Sequence, residues 1–165
     1  MHKLRLFFLP LAAVLFTVAL AAQSSRYGVG SEELDPKQLG VAIYPGAQVD
    51  ESEHTGKGTH LSLDWGQDSV HLFAQQYLTP DSPDKVLSFY RKQLAKYGNV
   101  LECRGNKPVV YVTSELKCED SEEKRDDNSI ELKAGTENNQ HIVGVTPKDG
   151  GTKIGIVYLK KSGLK

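Results

Sequence analysis

The sequence predicts an α+β domain, a mainly antiparallel sheet of about six to eight strands with one principal amphipathic helix packed on one face. Three observations carry this reading. Only one segment, Ser82 to Tyr97, repeats its apolar residues at three- and four-residue intervals. Short alternating or β-branched segments lie on both sides of it. Pro147-Lys148-Asp149-Gly150-Gly151 is a strong hairpin signal between two of those segments. One helix cannot supply the crossovers of a parallel sheet. The alternative architecture is a β-sandwich or barrel with the helix as plug or lid.

The chain has 165 residues, with 20 Lys or Arg against 21 Asp or Glu and a formal charge of −1. That length suits one globular domain. The composition excludes collagen, low-complexity disorder and a multi-span membrane protein. The near-neutral balance argues against a nucleic-acid partner, which normally demands a basic excess.

Residues 1–21 read as a signal peptide. Met1-His2-Lys3-Leu4-Arg5 is a cationic start, and Leu6 to Leu20 is an uncharged apolar run. Ala19 and Ala21 supply the small residues of a cleavage site. Retention as an N-terminal membrane anchor is the alternative, but the run is shorter than the ~20 residues that span a bilayer comfortably. No second apolar run of that length follows, so no membrane span is expected after cleavage. The destination is secreted or periplasmic, and there Cys103 and Cys118 most simply form one disulfide.

In chain order, 22–43 reads as a flexible lead with one possible helical turn at Pro36–Leu39, ended by Gly40, and 44–165 as a single domain. Tyr44-Pro45-Gly46-Ala47 is a turn. Ala47 to His54 reads as a polar, edge-like strand. Leu61, Leu63 and Trp65 alternate with Ser62 and Asp64, as in a half-buried strand, and Ser69 to Leu78 returns as its partner. In the helix Ser82 is the expected N-cap, Pro83 fits the first turn, and Gly98 is the expected left-handed stop. Its apolar face comprises Val86, Phe89, Tyr90, Leu94 and Tyr97. Val100 to Cys103 is a short strand. Val109 to Thr113, the most β-branched stretch, is expected near the sheet centre. Ser129–Ala134, Gln140–Thr146 and Thr152–Leu159 are further strands. Glu115 to Asp127 reads as a solvated acidic loop held at Cys118, and the lysines of the C-terminal segment as guards of an edge strand.

The chemistry is sparse. The sequence holds no nucleophile elbow, zinc-protease helix, P-loop or dinucleotide fingerprint, and no cofactor is implied. His54, His60 and His71 fall in the expected meander. His60 and His71, with acids such as Glu53 or Asp64, are candidates for a hydrolase site or a metal site if register brings them together. Tyr44 and Trp65, both beside turns, are the candidates for an exposed ligand platform.

The Tyr44-Pro45-Gly46-Ala47 turn, the helix from Val86 through Phe89-Tyr90-Arg91-Lys92-Gln93-Leu94 to Tyr97-Gly98, and Gly150-Gly151-Thr152 together resemble patterns in small exported bacterial proteins of uncharacterised function. The resemblance implies a bacterial envelope setting and a small α+β domain, and brings no activity or site residues. The leading expectation is a non-enzymatic exported domain that binds an envelope component or protein partner through the sheet's free face or the loops near Tyr44 and Trp65. A hydrolase or metal-binding module using His60 and His71 is the alternative.

Overall fold

A computed structural model of the chain describes residues 25–32, 34–52, 57–105, 107–110, 112–118 and 128–164. The leader assigned to 1–21, Glu53, His54 and the acidic stretch 119–127 lie outside these residues.

The strands are β1 (Arg26–Glu32), β2 (Gln48–Val49), β3 (Gly58–Trp65), β4 (Asp68–Thr79), β5 (Leu101–Arg104), β6 (Lys107–Val110), β7 (Ile130–Thr136), β8 (Asn139–Lys148) and β9 (Gly151–Ser162). They form one nine-stranded sheet in the order β1-β3-β4-β9-β8-β7-β5-β6, with β2 also paired to β4. Every pairing is antiparallel. The helices are α1 (Pro36–Leu39) and α2 (Pro83–Leu94), the latter continued by a 3-10 turn at Ala95–Tyr97. The sheet therefore exceeds the six to eight strands expected.

Part of the excess is β1. Within the segment 22–43 read as a flexible lead, Arg26–Glu32 pairs with β3, and Leu34, Leu39 and Val41 enter the core. Gly28 and Gly30 mask the strand in sequence because glycine carries no β preference. The expected helical turn is present as α1, with a capping box from Asp35 and Gln38.

The core lies between α2 and the sheet. Val86, Leu87, Tyr90 and Leu94 are buried on α2 against Leu132 and Ala134 of β7, Val143 and Val145 of β8, and Ile154 and Ile156 of β9. Phe89 and Tyr97 pack only partly against it. The helix starts at Ser82 with Pro83 in the first turn as expected, but the Ser82 side chain makes no capping hydrogen bond. At the other end Gly98 has φ 117° and ψ −157°, outside the left-handed helical region, because the 3-10 turn has already closed the helix.

Asp149 and Gly150 form the two-residue turn of the expected β8–β9 hairpin. β9 lies between β4 and β8, so Lys153, Lys160 and Lys161 sit on an interior strand and do not guard an edge. Of the β-branched stretch Val109–Thr113 expected at the centre, Val109 and Val110 end the edge strand β6, and Val112 and Thr113 lie outside any strand. The Cys103–Cys118 disulfide is formed, with Cα atoms 5.7 Å apart. It ties 112–118 to the side of β5 away from α2, where Leu101, Cys103 and Leu116 make a second, small core.

Candidate functional site

The sheet is wider than its helical layer. α2 rests on β7, β8 and β9 and the short α1 on β4 and β9, so the helix-side face continues past both helices over β3 and β1. Register aligns His60, Phe73, Tyr158 and His141 in one row across β3, β4, β9 and β8. Their rings stack in near-parallel planes. His60 lies 4.5 Å from Phe73 at 6°, Phe73 6.1 Å from Tyr158 at 17°, and Tyr158 4.6 Å from His141 at 11°. Tyr97 closes the row 3.6 Å from His141, and its hydroxyl donates to the Gly40 carbonyl. Burial, followed by the charge of Lys96, pushes His141 down to about 4, so this ring is neutral near pH 7.

The outer end of the ladder carries the polar cluster. Strand alternation puts His60, Ser62 and Asp64 on one face, and register sets His71 directly opposite Ser62. Ser62 Oγ lies 2.7 Å from His60 Nε2 and 3.1 Å from His71 Nδ1. His71 Nε2 lies 3.2 Å from Asp64 Oδ1. With both rings neutral, these contacts admit one assignment. The Asp64 carboxylate accepts, so His71 carries its proton on Nε2 and presents a lone pair at Nδ1. Ser62 must then donate to Nδ1, and His60 must donate from Nε2 to Ser62 Oγ.

The fold thus brings together His60, His71 and Asp64, which the sequence offered as candidates, and adds Ser62, which it did not single out. The missed signal was the i, i+2, i+4 spacing of His60, Ser62 and Asp64 within one strand. The cluster lies on an open face: the His71 side chain is 31% exposed and that of Asp64 46%. Among the described residues no group of three or more His, Cys, Asp or Glu could hold a metal ion. The nitrogens of His60 and His71, the candidate metal ligands, converge on a serine hydroxyl.

The other candidate pair does not form a platform. Tyr44 is 8% exposed. Its ring packs edge-on against Phe89 at 5.2 Å and its hydroxyl donates to Asp81 at 2.7 Å. That hydrogen bond, then burial, raises the Tyr44 phenol above its ordinary value. The amide of Tyr44 donates to the buried Tyr90 hydroxyl at 3.1 Å, so the residue pins the 44–47 turn to α2. Trp65 is exposed, at 37%, but lies opposite Asp68 at the far end of β4, roughly 35 Å from the Asp81 end at strand spacing.

Trp65 belongs instead to a surface on the sheet's other side. Alternation turns Leu61, Leu63 and Trp65 away from α2, beside Val70 and Leu72 of β4 and Val157 and Leu159 of β9. Tyr27 and Val29 of β1 extend the patch at 84% and 74% exposure. The alternation expected for β3 is present, but its apolar side is not the core side. Across β3, β4 and β9 these side chains are partly exposed, and a contiguous exposed apolar patch on a monomer is often functional.

No family model, curated protein or solved structure matches the chain. Among the described residues no helix is long and apolar enough to cross a membrane.

Proposed function

We propose that the protein is an exported binding domain of the bacterial envelope, and that it engages a protein partner or envelope component through the apolar face of β1, β3, β4 and β9. The observation that carries this is the continuity of Tyr27, Val29, Leu61, Leu63, Leu72 and Leu159 on a sheet side that α2 does not cover. A sheet face rich in Leu and Val but left half-exposed forfeits burial worth roughly 25 cal/mol per Å², which a partner would recover. The disulfide fits an oxidising compartment, and the charged start and apolar run at 1–21 supply the export signal.

Site-specific photo-crosslinking in the producing cell tests the reading. A photoreactive residue at Val29, Leu63 or Leu72 should capture a discrete adduct. The same residue at Ser88 or Lys92, exposed on α2, should not. Adducts from α2 alone, or none from the sheet face, would refute the assignment.

A further inference from the structure

We propose that Ser62 is a nucleophile toward carboxylic and phosphonic esters, with His71 as its general base and Asp64 as the residue that positions His71. The inference does not rest on the binding surface, which is on the opposite side of the sheet.

A serine hydroxyl is a weak nucleophile until an adjacent base accepts its proton and a third group fixes that base. The hydrogen-bond assignment that holds with both rings neutral supplies both. Ser62 donates to His71 Nδ1 over 3.1 Å, and Asp64 holds the opposite ring nitrogen at 3.2 Å. His60 adds a donor 2.7 Å from Oγ. Stacking on Phe73 fixes its ring, and the ladder behind Phe73 runs into the core, so this donor is preorganised. The approach to Ser62 is open because its register partner on β1 is Gly28, and a Cβ placed there would meet nothing within 4 Å.

In the step, a bond forms from Ser62 Oγ to the carbonyl or phosphoryl centre while the Oγ proton passes to His71 Nδ1. The bond to the leaving group then breaks, and that group departs with the proton from His71. His60 Nε2–H lies within reach of the oxyanion formed beside Oγ. It is one side-chain donor, where oxyanion sites commonly use two or more, and the sheet ladder occupies the neighbouring amides. Covalent capture is therefore the sharper readout than turnover.

The test is incubation of the purified protein with a fluorophosphonate probe, followed by intact-mass and peptide mapping. The expected result is one adduct, on Ser62, formed with loss of fluoride. It should be absent in Ser62→Ala and slower by at least about a hundredfold in His71→Gln, the scale of lost base catalysis. Asp64→Asn should also slow it, with circular dichroism unchanged. No adduct, an adduct spread over other serines, or wild-type labelling of His71→Gln would overturn the proposal. Should His71→Gln fail to fold, Ser62→Cys gives an independent reading. Its thiol should alkylate with iodoacetamide at least about tenfold faster than that of a cysteine at Ser88, and equal rates would also overturn it.

Discussion

At the scale of single residues, His141 sets how stability depends on acid. The ring is 4% exposed, stacked between Tyr97 and Tyr158, and burial takes it from 6.5 to about 4. The unfolded chain binds a proton at this position near pH 6.5 and the folded chain only near 4. Stability is therefore greatest above 6.5 and declines as pH falls toward 4, by roughly 2–3 kcal/mol between pH 7.5 and 4.5. Urea unfolding across that range should show the loss, and His141→Phe, which keeps a flat ring in the stack, should flatten the slope. Asp50 acts at lower pH. The Ser52 hydroxyl, the largest influence, holds its carboxyl below its ordinary value of 3.8, so its contribution is present above that value and is lost as pH falls below it. A slope that survives His141→Phe unchanged would mean that another group carries it.

At the scale of elements, α1 shows how a short helix is held by what touches its end. Gly40 closes it at φ 72°, and a Cβ there would stand 2.5 Å from His141 Cε1 and 2.7 Å from His141 Nδ1. Gly46 has a similar φ of 76° but open space around it. Gly40→Ala therefore meets both the left-handed penalty and a displaced ring stack, about 2–4 kcal/mol in all, and Gly46→Ala only the penalty, about 1–2 kcal/mol. Equal losses in denaturant unfolding would show that the His141 contact is not limiting. This scale also marks what the sequence makes legible. α2, α1, the turn at Asp149 and Gly150 and the disulfide follow from local chemistry or from cysteine count. Sheet order does not, because pairing is settled between distant segments. Val109 therefore lies at an edge despite its β preference, and the lysines of β9 lie inside the sheet. The site was half legible for the same reason. His60 and His71 could be named from sequence, but only the Ser62–His71 register joins them, and alternation in β3 cannot say which of its two sides α2 will cover.

At the scale of the molecule, a sheet broader than its helical layer leaves two unlike ends. On the β6 edge, Lys107 and Pro108 oppose further pairing, Lys by charge and Pro by lacking an amide donor. β1 has no lysine or proline, and its Tyr27 and Val29 are among the most exposed large apolar residues described. Extended backbone and an adjoining apolar face make β1 the edge at which a second chain would add in the absence of a bound partner. Val29→Lys should therefore slow the rise of light scattering when the isolated protein is held at high concentration below its melting temperature. Val109→Lys, on an edge already protected, should leave the rise unchanged although Val109 is itself 46% exposed. The two substitutions add the same charge, so an equal effect from both would trace solubility to net charge and not to the β1 edge. A difference confined to Val29→Lys would instead place the unsatisfied surface where β1 meets the face of β3 and β4.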